Sequence, residues 1–514
     1  MNEGSSATPD RKRRSRLRSV VRVTVKVVLT IVVILAILRG IVALGERVPM
    51  IEATGPEVVD GDLTTRPIRF AQTDFYVYPP RVDAEEGRLQ VPARRDDAAS
   101  GPIGIRYVRF PTTGSDATAP PIVYLAGGPG GSGTSTASGD RFKFFMALRE
   151  AGDVIALDQR GVWGTHPYPR CPNVWTYPLD IPTHPDDLVR VHEPQVRECW
   201  SRWETELHPD TYTTAESVED LEALREALGV ERLNLVGISY GTHLGLAYIR
   251  THPDRVGRAV LAGVEGPNHT YKSPARVDEI VRAVDETLAR EAGWDGFVED
   301  IETATARLAE EQPMVTVTDR RSGEEVEVAL GPYDLKLAVY YGLGEREDFL
   351  KAARRVRQIA EGDYSLLAQL ALRIRSGGAP IVMPISMDCA SGATAERLER
   401  IQGEMADALV GDVANLDLTS SCPFWPVEDL GDDYRSDFTS DVPVLAISGT
   451  LDLRTPPANA DEALAAFTDW RHVLILGGAH SDDLLIATPE IADTMVQFLQ
   501  SGEVASEAIE LPPL

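Results

Sequence analysis

Ser239 lies in Leu233-Asn234-Leu235-Val236-Gly237-Ile238-Ser239-Tyr240-Gly241-Thr242, an apolar run ending in a serine with a glycine two residues away on each side. A sharp strand-to-helix turn strains such a serine, and small residues must flank it. The serine then stands at a helix N-terminus, where free amides and the helix dipole favour a developing anion. A hydroxyl is a weak nucleophile unless a base takes its proton, and the base needs a carboxylate to orient it. His166, His184, His192 and His208 precede the serine, in proline-rich loops or near Cys199. His243 falls four residues into the following helix, His252 ends that helix, His269 opens the next segment and His472 begins a strand. His480, in Leu476-Gly477-Gly478-Ala479-His480-Ser481, follows a late apolar run on a loop of small residues, the place for a mobile base. Asp452, in Val444-Leu445-Ala446-Ile447-Ser448-Gly449-Thr450-Leu451-Asp452, follows the preceding apolar run. Ser239, Asp452 and His480 thus stand in the order nucleophile, acid, base.

Hydrolysis through a tetrahedral intermediate also needs donors for its oxyanion. Ala126-Gly127-Gly128-Pro129-Gly130-Gly131-Ser132-Gly133 follows the apolar run Ile122–Leu125, and its bare glycines let backbone amides approach closely. One donor comes from Gly127–Gly131, with Gly128 the single choice, and the other from the Tyr240 amide. A phosphate loop would need Gly-Lys-Ser/Thr next, which is missing here.

These residues require a frame that brings separate loops to one edge. Short apolar runs recur at Ile103–Phe110, Ile122–Leu125, Val154–Leu157, Leu233–Val236, Ala259–Leu261, Val444–Ile447 and Val473–Leu476. Helical patterns intervene, notably Val218–Leu228 with Ser217 as its cap, Asp220 in a capping-box position and Gly229 as its stop, and Thr242–Arg250 after the serine. Buried strands alternating with helices give an α/β fold with a mostly parallel sheet. Between 268 and 440 the pattern turns helical (Arg276–Glu291, Trp294–Glu310, Phe349–Glu361, Ala395–Val410), with one hairpin, Val315–Ala329, turning at Ser322-Gly323. Such an insertion is expected to cap the end of the sheet where ligands bind. The divisions are therefore a first core part at 69–267, a helical cap at 268–440, a second core part at 441–500 and a tail at 501–514. Asp158 and Arg160, after another strand on that edge, are expected to pair and shape their loop.

With 514 residues, 43% of them hydrophobic and 25% charged, the chain can bury a large core. Net charge is −28, but residues 1–48 hold ten basic residues against Glu3, Asp10 and Glu46, so the rest carries −35. A body that acidic repels phosphate backbones, which argues against a nucleic-acid partner. No spacing marks a metal, nucleotide or flavin site, so no cofactor is expected. Residues 1–19 are basic and read as cytoplasmic, 20–44 as a membrane signal-anchor with a cleaved signal peptide as the alternative, and 45–68 as a linker. Either reading exports the body. Cys171, Cys199, Cys389 and Cys422 then suit two disulfides, and of three connectivities the pairing of sequence neighbours would staple two separate regions.

In order along the chain, Ala-Gly-Gly-Pro-Gly-Gly, Asp158-Gln159-Arg160-Gly161, Gly237-Ile238-Ser239-Tyr240-Gly241-Thr242, Ser448-Gly449-Thr450-Leu451-Asp452 and Gly478-Ala479-His480 resemble the α/β-hydrolases of the proline iminopeptidase and tripeptidyl aminopeptidase family, nearer the exported tripeptidyl branch. The resemblance covers roughly residues 70–500 and departs at Ala126, where the family often has histidine. It implies a serine exopeptidase acting on free N-termini, the triad on Ser239, Asp452 and His480, and a cap over the pocket. Such an enzyme must hold a substrate ammonium, for which Glu265 and Asp388 are the candidate carboxylates. The same triad also serves a carboxylesterase of small or lipid esters, whose pocket would lack that carboxylate. A silent binding protein of the same fold is the third reading, which the complete triad disfavours.

Overall fold

Ile122–Leu125, Val154–Leu157, Leu233–Ile238 and Val444–Gly449 are buried along their whole length, which a strand achieves only inside a sheet covered on both faces. The computed structural model describes residues 63–73, 80–116 and 118–514. Its strands are β1 (Leu63–Ala71), β2 (Arg81–Arg94), β3 (Asp97–Phe110), β4 (Ile122–Leu125), β5 (Val154–Leu157), β6 (Leu233–Ile238), β7 (Val256–Ala262), β8 (Met314–Thr318), β9 (Glu325–Ala329), β10 (Val444–Gly449), β11 (Trp470–Leu476) and β12 (Ala508–Glu510). Ten of them form one sheet in the order β1-β2-β3-β5-β4-β6-β7-β10-β11-β12. From β5 to β12 all neighbours are parallel, and β1, β2 and β3 add an antiparallel edge. This is the α/β-hydrolase arrangement, a mostly parallel sheet flanked by helices.

β1 corrects the linker expected at 45–68, since residues 63–68 are strand. β1 is an edge strand whose side chains are mostly exposed, so it needs few apolar residues and leaves a faint sequence pattern. The tail at 501–514 is corrected likewise, because Ala508–Glu510 pairs with Leu474–Leu476. The helix expected from Val218 starts a turn earlier, at Thr214. Thr213 Oγ1 accepts the Glu216 N–H at 3.4 Å, while Ser217 is buried inside the helix.

Between β7 and β10 the chain leaves the sheet for helices that include Pro274–Ala292, Phe297–Glu311, Pro332–Gly342, Phe349–Ala360, Val382–Ser391 and Ala395–Met405. The antiparallel pair β8–β9 turns around Ser322-Gly323. This insertion carries its own apolar core, from Val277 and Val281 through Phe297, Leu335, Phe349 and Leu367. Leu451, Leu453 and Ala479, from the loops bearing Asp452 and His480, pack into it. Two disulfides join Cys171 to Cys199 and Cys389 to Cys422. Among the described residues no helix is long and apolar enough to cross a membrane, and the segment 20–44 lies outside them.

Candidate active site

β6 ends at Ile238, and the next residue, Ser239, has φ 55° and ψ −127°, a backbone conformation that non-glycine residues rarely adopt. The flanking glycines let the chain turn so sharply. A Cβ at Gly237 would lie 2.6 Å from the Gly241 carbonyl oxygen, and one at Gly241 would lie 2.0 Å from that of Leu125. The Ser239 amide is tied to the Ala262 carbonyl at 2.9 Å. The helix Tyr240–Thr251 begins at once, so the Tyr240 amide is among the donors that a helix leaves without an internal partner. The Tyr240 ring is buried, its hydroxyl 3.0 Å from Thr214 Oγ1.

The loop after β10 brings Asp452 to 2.7 Å from His480 Nδ1 through Oδ2. Asp452 is 0% exposed and also accepts from the Arg454 amide (2.8 Å), the Thr455 amide (2.9 Å) and the Thr455 hydroxyl (2.7 Å). Burial pushes this carboxyl up, but the attraction and hydrogen bond of His480, with those of Thr455, outweigh it and hold the group below the ordinary aspartate range. The histidine loop is fixed from two sides. The His480 amide donates to the Gly344 carbonyl at 3.1 Å, and Arg141 donates to Ser481 Oγ (2.8 Å) and Asp482 (2.7 Å). The Ser239 hydroxyl has no hydrogen-bond partner among the described residues, but Ser239 and His480 line one cavity of about 560 Å³.

Gly127, Gly128, Pro129 and Gly131 line the same cavity. A Cβ at Gly127 would sit 2.7 Å from the Ile238 carbonyl and 3.0 Å from Ser239 Cβ, so this loop lies directly against the serine. The Gly131 amide is already used by the Gly127 carbonyl at 3.0 Å, and Pro129 has no N–H, which leaves the amides of Gly127, Gly128 and Gly130. Gly128 has φ 124°, open to glycine and closed to other residues.

Asp158 and Arg160 do not pair, which corrects the expectation. Asp158 instead accepts from Ser132 Oγ (2.6 Å), the Thr134 amide (3.0 Å) and Thr134 Oγ1 (2.7 Å), while Gln159 Nε2 donates to the Ala126 carbonyl at 3.1 Å. This segment therefore anchors the glycine loop. Arg160 turns the other way into a fully buried bidentate pair with Asp220 at 2.6 and 2.7 Å.

Glu265 and Asp388 both line the cavity. Glu265, 5% exposed, is ion-paired with Lys272, and His243 stands behind it with Nδ1 at 3.7 Å and Nε2 on the Tyr434 hydroxyl at 2.5 Å. Asp388, by contrast, has no hydrogen bond or ion pair to its carboxylate among the described residues. Nor does Asp417, which is solvent-accessible and opens its side chain onto the cavity. Burial and the nearby Glu265 push Asp388 well above the ordinary range, and burial raises Asp417 against the pull of Arg454. Glu345, also in the wall, is pushed up to about 8 by burial and by Asp483 and Asp482. Lys272, Asp417, Glu345 and Arg454 escaped the sequence reading, because they lie in the helical insertion or on a loop with no spacing rule to mark them. Among the described residues no group of histidine, cysteine and acidic side chains is arranged to hold a metal ion.

Over residues 120–482 the chain matches the family model of the α/β hydrolase fold. It is 31% identical over 202 residues to the serine protease Hip1 of Mycobacterium tuberculosis, covering 35% of this chain and 36% of that one. It is 32% identical over 157 residues to the tripeptidyl aminopeptidase of Streptomyces lividans (29% of each chain). To the proline iminopeptidase of Neisseria gonorrhoeae it is 28% identical over 144 residues, 28% of this chain and 32% of that one. The chain thus spans about a third of the length of the curated relatives it matches. The solved proline iminopeptidase of Mycobacterium smegmatis aligns over 80% of this chain and 97% of its own, with 16% identity and a TM-score of 0.38. With the profile matched across most of its length and the sheet order described above, the chain belongs to the α/β hydrolase fold family.

Proposed function

We propose that this protein is an exported serine aminopeptidase that releases short peptides from free N-termini. His480 takes the Ser239 proton as Oγ attacks the scissile carbonyl, and Asp452 holds the imidazole in orientation and stabilises its charged form. The tetrahedral oxyanion forms against the Tyr240 amide and an amide of the glycine loop, for which Gly128 remains the choice. Collapse gives an acyl-enzyme, and His480 returns the proton to the departing amine. Water then repeats the sequence to free the short peptide.

The observation that carries the peptide reading is the pair Asp388 and Asp417, two carboxylates that among the described residues accept no hydrogen bond and form no ion pair, in the cavity that Ser239 and His480 line. Two neighbouring carboxylates in one cavity repel each other when both are ionised, and a bound cation offsets that cost. A substrate ammonium supplies it, whereas a neutral ester does not. Glu265, first expected in this role beside Asp388, already has Lys272 as its counter-ion, so its part is to set the field around Asp388. The names of the serine protease, tripeptidyl aminopeptidase and proline iminopeptidase relatives point the same way. The two disulfides suit an oxidising, extracytoplasmic setting. The basic N-terminus followed by the segment 20–44, with its apolar run Val27–Leu38, suits a membrane anchor.

The test compares the full chain with its Ser239→Ala variant on one peptide, free and N-acetylated, and on a short-chain nitrophenyl ester, with products read by mass. Trimming of the free peptide alone, lost in the variant, supports the aminopeptidase. Ester cleavage without trimming of either peptide makes the protein a carboxylesterase.

A further inference from the structure

A second cavity, of about 370 Å³, shares the wall formed by Gly128, Pro129, Asp388, Asp417 and Leu418 with the cavity of Ser239. Its remaining sides are Trp175, Pro380, Pro384, Ile385 and the Cys389–Cys422 disulfide. His192 and Ser421 complete the lining. The His192 ring sits 5.7 Å from that of Trp175, with Nδ1 3.2 Å from Ser420 Oγ. Burial lowers it to about 4, so at neutral pH the ring is uncharged. Beyond the two aspartates of the shared wall, this chamber carries no charged side chain.

Its walls also resist movement. Two prolines and a disulfide restrict the backbone around it. The segment bearing Ile381 and Pro384 presses on the glycine loop so closely that a Cβ at Gly130 would lie 2.8 Å from Pro384 Cγ and 2.9 Å from Ile381 Cδ1. A rigid apolar chamber discriminates by size, because a small occupant leaves its far wall without contacts.

We propose that this chamber receives the side chain of the substrate's first residue and selects a large apolar one. The inference rests on the aminopeptidase reading. With the α-ammonium held at Asp388 and Asp417, the first Cα bears two remaining carbon substituents. The peptide chain runs toward Ser239 in one cavity, and the side chain takes the other.

The test measures kcat/KM of the full chain on free peptides X-Ala-Ala-Ala-Ala with X = Gly, Leu, Phe, Asp or Lys. Leu and Phe are expected to exceed Gly by about 100-fold, with Asp lowest. Ile385→Trp fills the chamber and is expected to cut the Phe-to-Gly ratio at least about tenfold. A flat profile over X, with all peptides trimmed, overturns the chamber's role and leaves the aminopeptidase standing. Failure to trim any free peptide while the nitrophenyl ester is cleaved overturns both.

Discussion

The Lys272 ammonium sits on the Glu265 carboxylate inside the cavity that Ser239 lines. A buried carboxylate beside a nucleophile is the expected anchor for a substrate amine, but here a resident cation of the same chain has taken the position. On the aminopeptidase reading proposed above, the pairing leaves Asp388 and Asp417 as the carboxylates free to anchor a substrate amine, with Glu265 part of the structure that surrounds them.

That relationship predicts an asymmetric mutant pair. Lys272→Met strands Glu265 as an uncompensated buried charge and is expected to cost about 3–5 kcal/mol of stability. Adding Glu265→Gln removes the stranded charge, so the double variant should recover most of the loss. Thermal unfolding of the three proteins at neutral pH checks this, and a double variant no more stable than Lys272→Met would refute the pairing as the cause.

Asp452 accepts from four donors, two of them backbone amides. The carboxamide introduced by Asp452→Asn keeps the two backbone bonds through its one oxygen but loses the charge facing His480 Nδ1. The variant should therefore fold but lose about 10⁴-fold in kcat, since the imidazole is then held in the wrong tautomer. Fluorophosphonate labelling of Ser239 should slow in parallel, and retained labelling speed would show that Asp452 does not act through His480.

Gly127 lies against the serine with less space than any Cβ needs. Gly127→Ala must push the glycine loop away from Ser239 and with it the amides that face the oxyanion. Losing one such donor costs about 10²–10³ in kcat, so the variant is expected to fall in that range with a smaller change in KM. An unchanged kcat would place the oxyanion donors elsewhere.

How much of this was legible in the sequence depends on how local the signal is. Ser239, Asp452 and His480 could be found because each follows an apolar strand on a loop of small residues, and a strand-to-loop pattern lies within ten residues. The central parallel strands β4, β5, β6 and β10 were equally plain, being buried along their whole length and almost wholly apolar. β1 and β12 were not, because edge strands face water and need little hydrophobic patterning. Nor could Asp158 and Arg160 be placed. Both follow β5 two residues apart, but their partners, Ser132, Thr134 and Asp220, come from distant segments that only the fold brings near. Asp417 and the Trp175 chamber lie further still from any rule, since the chamber exists only where the insertion, the glycine loop and the segment between β5 and β6 meet.

Glu345 offers a test of the cavity's electrostatics through pH. Burial, then Asp483 and Asp482, raise its folded value to about 8, against an ordinary value of 4.5 in the unfolded chain. Below about pH 4.5 both states hold the proton and the group has no effect on folding. As pH rises toward 8 the unfolded chain releases the proton while the folded protein keeps it, so stability falls across that window and the loss is complete above it. Asp483, raised chiefly by burial, contributes in the same direction at the lower end. Glu345→Gln keeps the shape and removes this titration. The variant should match the parent in Tm near pH 4.5 and exceed it by on the order of a few °C at pH 9. Unfolding curves at pH 4.5, 7 and 9 decide it: a Tm difference that stays constant with pH would mean that Glu345 is not held neutral beside Asp482 and Asp483.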